Sequence, residues 1–382
     1  MYAQLGVDAG KKSVRSTFSC IVENEYPNAF VNIITHPIRP KLAITQHMDG
    51  DGSKFVQRLL MYYELLEPDV LGGAVIDAME MNMGDIAASG FVDGPIIFTD
   101  TININGINIP QKDIIMDQLA EAFSDILDLY RYFGFNIHFL GGETADLPDQ
   151  LKSIAFDVAV YAETRKENII SGDVQVGDKI YGFASDGRAE WETEQNSGLM
   201  SNGSTMARYK EMHPKYSEKY PFLIRDEASF EGNKSIDSGT AYQLISPTRH
   251  WSVVIKMIIE ALKERNIFHM LHGISMNTGG GATKVAHIGD GIVYHKTMPE
   301  VAPLFQRIQY DSGETWRNMF ETFNCGVGID VVGKDEPEFA EVMSIISEQT
   351  HIKLYELGVC ERSCDNSNKI ILETPYGCFD DY

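Results

Sequence analysis

The feature that most constrains this chain is a strand-like run that ends on acidic residues and glycines and passes straight into a helical pattern. Residues 41–47 (KLAITQH) read as a strand, Met48-Asp49-Gly50-Asp51-Gly52-Ser53-Lys54 as a turn, and Phe55 onward as a helix. Glycine lets a backbone turn tightly and approach a ligand closely. Carboxylates hold a hard cation, and a lysine reaches a phosphate. A turn opening a helix therefore suits a metal–nucleotide complex, although the same residue types also build ordinary surface turns. An EF-hand is excluded: with Asp49 in first place, Lys54 stands where the loop needs Gly and Leu60 where it needs Glu.

The pattern around this turn is one of alternation. Residues 55–67 carry apolar side chains at helical spacing, and residues 70–89 (VLGGAVIDAMEMNMGDIAAS) read as a second, mostly buried helix. Asp77 and Asp85 are about 80° apart around that helix and roughly 12 Å along it. They either share one side, with Met81 between them, or are paired structurally, since a lone buried carboxylate is costly. A strand over 95–100, an amphipathic helix over 111–133 and a short strand over 136–140 follow. That strand runs into Gly141-Gly142-Glu143-Thr144-Ala145-Asp146, a second turn able to present carboxylates to a cation. With a further strand over 154–162, the order predicts a mixed α/β domain.

Residues 166–179 are polar and punctuated by Gly and Asp, so the domain boundary is placed there, giving domains 1–168 and 169–382. The second domain opens on a strand at 179–184. Residues 186–198 read as an acidic surface insertion, residues 200–204 lead into a short helix, and 209–240 read as an extended, partly irregular excursion. A helix over 250–265 precedes a strand near 267–271. Thr278-Gly279-Gly280-Gly281 then forms a turn whose N–H groups could cradle a phosphate. Residues 325–332 form a strand and 336–349 a helix, with the last strands near Lys353 and Lys369.

Composition narrows the function classes. The 32 Lys and Arg against 55 Asp and Glu give a net charge of −23, which argues against a nucleic-acid or anionic-membrane surface. Five cysteines without a CxxC pair suggest reduced thiols, and neither a signal peptide nor a membrane span is legible, so a cytoplasmic protein is expected. The P-loop and dinucleotide fingerprints are missing. His269 and His272 have zinc-like spacing but no evident third ligand.

Several stretches, in order, resemble the aminoimidazole ribonucleotide synthetase (phosphoribosylformylglycinamidine cyclo-ligase) family of the PurM-like superfamily. GVDAG (6–10) is similar to its N-terminal segment, MDGDGSK (48–54) to TDGVGTK, Asp77 through Asp85 to DxxAMxxND, and GGETADLP (141–148) to GGETAEMP. LMSNGS (199–204) resembles PHSNGYS, SPTR (246–249) resembles APTR, TGGG (278–281) matches outright, and FNCGVGI (323–329) resembles FN-GVGM. The resemblance implies a two-domain α/β fold in which the N-terminal domains of a homodimer pair near the nucleotide. It implies phosphorylation of the formamide oxygen of phosphoribosylformylglycinamidine by ATP with Mg2+, then closure of the aminoimidazole ring. Carried over, Asp49, Asp85 and Glu143 are candidate metal ligands, and Asp77, Glu143, Thr144 and Asp146 candidate ATP-site groups. Lys54 is a candidate phosphate contact. Asn202, Gly203 and the turn Thr278, Gly279, Gly280, Gly281 would line the substrate side.

The chain departs from that pattern at three chemical positions. Met200 and Met276 replace histidines, and Gly84 replaces an asparagine. Methionine cannot transfer a proton, so another group, His272 for one, would have to supply that role. Two alternatives stay open: a relative in the superfamily with a different acceptor, and a non-catalytic nucleotide-binding protein. Selenophosphate synthetase, hydrogenase-maturation dehydratase and thiamine-monophosphate kinase each lack a matching signature here.

Overall fold

The computed structural model describes residues 17–18, 20–380 and 382, so the GVDAG segment lies outside the described residues. Two sheets organise the chain. The first has the order β1-β2-β5-β3-β4, from β1 (Ile34–Thr35), β2 (Leu42–Gly50), β3 (Pro95–Ile104), β4 (Asn136–Asp146) and β5 (Ile154–Arg165). Helices α1 (Lys54–Leu65), α2 (Gly73–Ala87) and α3 (Lys112–Tyr132) connect these strands. Strand β5 alternates buried and half-buried residues, with Ile154, Phe156, Val158 and Val160 facing the core, the period-2 signature of a sheet packed on one face. On the opposite face Met48 and Leu140 are 63% and 69% exposed.

Helix α2 is the centre of the molecule. All but two of its fifteen residues are buried, the polar Asp77, Glu80, Asn82 and Asp85 among them, so those four side chains need partners in the interior. It packs on β2, β5 and α3 from the first half of the chain and on α7 (Trp251–Glu264) from the second. Between these halves come β6 (Lys179–Ala184), the two-residue strands β7 (Asp186–Gly187) and β8 (Asn196–Ser197), and helices α4 (Ser204–Glu211), α5 (Lys215–Lys219) and α6 (Gly239–Ile245).

The second sheet has the order β14-β13-β10-β12-β6-β11-β9. Its later members are β9 (Leu271–Met276), β10 (Ile292–Thr297), β11 (Val327–Gly333), β12 (Leu354–Arg362), β13 (Lys369–Thr374) and β14 (Gly377–Phe379). Helices α8 (Pro303–Ser312), α9 (Trp316–Thr322) and α10 (Pro337–Thr350) complete the fold. Among the described residues, no helix is long and apolar enough to cross a membrane.

Three expectations need correction. The acid–glycine stretches at 48–50 and 141–146 are strand, not turn: Asp49 pairs with Val158 and Asp146 with Ile104. Only Gly141, at φ 85°, breaks the extended run, where the β3–β4 register shifts between Phe98 and Asp100. The insertion at 186–198 is no free surface excursion. Arg249 pins it, with Nε and Nη2 each donating to a Glu192 carboxylate oxygen at 2.9 Å and Nη1 donating to the Ala184 carbonyl at 2.7 Å. The excursion at 209–240 is likewise partly helical, through α4 and α5.

Candidate active site

The true turn is the three residues Asp51-Gly52-Ser53, and it is the hinge on which the two halves meet. The Ser53 hydroxyl lies 3.0 Å from that of Ser204 and 2.6 Å from that of Thr205, while Arg208 Nη1 donates to the Ser53 carbonyl at 2.6 Å. Lys54, the first residue of α1, points inward. Its ammonium is wholly buried and donates to Asp77 Oδ1 and to the Leu199 carbonyl, each at 2.9 Å, and to the Ser246 carbonyl. Asp77 also accepts from Arg58 at 2.5 Å and from the Thr248 hydroxyl at 2.7 Å. Four stretches far apart in the chain (51–54, 77, 199–205 and 246–248) thus converge on one junction.

Two of the candidate residues sit inside this knot. Lys54 and Asp77 face each other in the interior, where three acceptors and four donors respectively occupy them. Burial pushes the Asp77 carboxyl up, but the Lys54 and Arg58 charges and the Thr248 hydroxyl outweigh it and hold it below the ordinary value. For Lys54 burial wins over Asp77, lowering the ammonium to about 8, still protonated at neutral pH. Beside them Asp51 is fully buried with neither carboxylate oxygen hydrogen-bonded. Burial, with the Asp77 charge, raises its pKa well above normal despite Arg58 and Lys54.

The surface carboxylates lie on the sheet instead. One row of cross-strand neighbours runs Asp49, Val158, Asp100, Gly142, and the adjacent row runs Gly50, Asp157, Thr101, Glu143. Asp49 and Asp100 are two strands apart, roughly 10 Å. Burial and the Asp49 charge raise the Asp157 carboxyl, and burial raises that of Asp100. Asp49, Asp85 and Glu143 do not gather as one metal-ligand set: among the described residues no three His, Cys, Asp or Glu side chains converge for a metal ion. They sit on β2, α2 and β4, with the two strands separated by β5 and β3. Mg2+ takes one or two carboxylates plus phosphate oxygens and water, and the exposed Asp49 with the half-buried Asp100 in its row fits that donor set, whereas Asp157 and Glu143, one row on, point to the other face of the sheet. Thr144 is exposed, and Asp146 is paired with Lys112 at 2.9 Å.

Asp85 has a partner that sequence reasoning missed. His47 Nε2 lies 3.4 Å from Asp85 Oδ2, and its Nδ1 lies 2.9 Å from Asn82 Oδ1; Asn82 in turn donates to the Asp49 carbonyl at 3.0 Å. Burial lowers the imidazole pKa, but Asp85, Asn82 and Asp49 outweigh it and the net shift is upward. The signal was available: His47 is two residues before Asp49, and alternate residues of a strand share a face. His272 lies elsewhere. Asp178 holds its Nδ1 at 2.7 Å, buried near the start of β9, roughly 13 Å along the strand from Met276.

Two of the family departures touch each other. A Cβ built on Gly84 would lie 1.8 Å from Met276 Sδ, so the missing asparagine side chain leaves the space that the methionine fills. Both Met276 and Met200 are core residues. Farther along, Asn202 donates to the Thr322 carbonyl at 2.5 Å, and Gly203 and Gly281 both abut Phe323 so closely that a Cβ would clash. The Thr278–Gly281 segment is closed by Gly281 N–H donating to the Thr278 carbonyl at 2.7 Å; Gly279 is exposed with open space around it, and Gly280 has φ 105°. Lys284 Nζ donates to the Thr278 hydroxyl at 3.2 Å, which sets a cation beside the glycines.

Comparison with known proteins fits this geometry. No family model matches the chain. It is 29% identical over 328 residues to the phosphoribosylformylglycinamidine cyclo-ligase of Methanocaldococcus jannaschii, covering 85% of this chain and 80% of that one. It is 28% identical over 330 residues to that of Methanococcus maripaludis, with the same shares, and 26% over 351 residues to that of Limosilactobacillus reuteri, covering 89% and 86%. Similar solved structures include T. maritima PurL complexed with ADP (TM-score 0.53, 12% identity, 99% of this chain and 50% of that one). Hydrogenase maturation protein HypE in complex with ATP is another (TM-score 0.52, 11% identity, 98% and 96%). The fold is PurM-like, the one these solved structures share.

Proposed function

We propose that this chain is an ATP-dependent cyclo-ligase that closes phosphoribosylformylglycinamidine to aminoimidazole ribonucleotide, releasing ADP and phosphate, as a cytoplasmic enzyme of purine biosynthesis. The observation that carries this reading is the similarity to cyclo-ligases along 85–89% of the chain, and the meeting of the matching segments at one junction supports it. A formamide oxygen leaves poorly until it is phosphorylated, and phosphoryl transfer needs charge neutralisation and alignment more than covalent help. In this reading Asp49, with Asp100 in the same cross-strand row, would hold Mg-ATP. The ion's chemistry is to neutralise the transferring phosphoryl group. Residues 1–168 form the nucleotide half and 169–382 the acceptor half. The Thr278–Gly281 turn, with Lys284, takes the ribose phosphate, while Asn202 and Gly203 flank it. His47, oriented by Asp85 and Asn82, moves protons that Met200 and Met276 cannot.

Two copies pair through the exposed sheet face that carries Met48 and Leu140, and Met48→Glu is expected to shift sedimentation toward the monomer. The activity is tested by incubating purified protein with Mg-ATP and phosphoribosylformylglycinamidine while following ADP and aminoimidazole ribonucleotide together. Stoichiometric formation of both is expected. The apolar Gly84–Met276 contact favours one second reading, a superfamily enzyme with another acceptor, and ADP formed without aminoimidazole ribonucleotide would select it.

A further inference from the structure

The pinned insertion borders a cavity whose lining includes no residue of the Asp51–Lys54 turn. A cleft of ≈430 Å³ opens between α2 and α3 and is closed by Trp191 and His250 from the second half of the chain. That volume lies within the range of small-molecule sites. Its floor is apolar, with Ile76, Ile126 and Leu129 among the lining residues; Asp69, Glu121 and Asp125 supply its charge, and no Lys or Arg lines it. All three carboxylate residues are exposed, as befits a rim.

The aromatic wall is rigid. Trp191 stacks edge-on against Phe133 at 5.3 Å between ring centroids. Its neighbour Glu192 is held by the Arg249 guanidinium and accepts from the Ala189 N–H at 2.7 Å. The ring nitrogens Trp191 Nε1 and His250 Nδ1 are buried without hydrogen-bond partners. Burial lowers His250 to about 4, so the imidazole is neutral and does not offset the rim. An indole in an ordered wall and uncompensated negative charge together define what fits: a positive charge for the rim and a flat apolar body for the floor and the indole.

We infer that this cleft binds a small organic cation with a planar or apolar body, of the amidinium, guanidinium or protonated-amine class, bridging the two halves of the chain. The site does not depend on the proposed ring closure, because none of its lining residues belongs to the row of Asp49 and Asp100 or to the Thr278–Gly281 turn.

Isothermal titration of the full chain with benzamidine, against its neutral isostere benzamide, tests the inference. Benzamidine is expected to bind about tenfold or more tightly than benzamide, from the charge interaction alone. The exposed double variant Glu121→Gln/Asp125→Asn is expected to erase that preference by about tenfold, and raised salt to weaken it. Trp191→Leu is expected to weaken benzamidine binding while leaving ADP formation unchanged. Equal binding of the two probes, an unaltered preference in the double variant, or no benzamidine binding at millimolar concentration would each overturn it.

Discussion

Asp49 and Lys54 are five residues apart and belong to the same recognisable motif, yet they live in opposite environments. Asp49 is exposed at the end of β2, in one cross-strand row with the half-buried Asp100. Lys54 has no exposed surface and is locked between Asp77 and two carbonyls of the second half. One motif therefore contributes an exposed carboxylate on one side of its turn and a structural fastening on the other. Motif membership does not tell which residue meets the ligand; the direction of each side chain does.

That contrast is open to direct attack. The largest effect belongs to Lys54→Ala. Removing the cation leaves the buried Asp77 carboxylate with Arg58 as its one ion-pair partner beside the Thr248 donors, and losing one partner of a buried pair costs about 3–5 kcal/mol. Urea unfolding should show the loss, and a midpoint close to that of the parent would mean the knot holds nothing together. Asp49→Asn should do the reverse. Stability should change by less than about 0.5 kcal/mol, as for an exposed site, while ADP formation falls about tenfold or more if Asp49 serves the transferring phosphate. Full turnover in this variant would move the nucleotide away from the row of Asp49 and Asp100.

The smallest effect probes the residue between them. Asp51 is buried without a hydrogen bond, so Asp51→Asn should stabilise the fold by about 1 kcal/mol near neutral pH. Its pKa in the folded chain is raised. Its contribution is then fully present below the unfolded value near 3.8 and is lost as pH rises through the folded one. The gain from Asn should accordingly grow as pH increases from 4 upward in a series of melting curves. A gain that shrinks with pH would show that Lys54 and Arg58 keep Asp51 ionised and stabilising.

How far the chain was readable follows from these residues. Helices α1 to α3 and strands β2, β3 and β5 were expected within a few positions, because hydrophobic periodicity is a local property. The stretch at 141–146 was misread because its glycines and polar residues also make turns, and only pairing with β3 holds it extended. His47 went unnoticed because its importance depends on Asp85, 38 positions away in the numbering but 3.4 Å away in space. The pairing of Gly84 with Met276 was hidden for the same reason, each departure being visible by itself and their contact not.

What the sequence determined by itself is the alternation of strands and helices, the buried character of α2 and the order of superfamily segments. Each is written in nearest-neighbour patterning, which the backbone must satisfy locally whatever surrounds it. Tertiary structure alone decided that Lys54 is sealed in while Asp49 is left out, that Arg249 folds residues 186–192 onto the body, and that Trp191 closes a cleft against α2 and α3. Burial and hydrogen-bond satisfaction set those outcomes, and their terms come from partners as far as 192 residues along the chain.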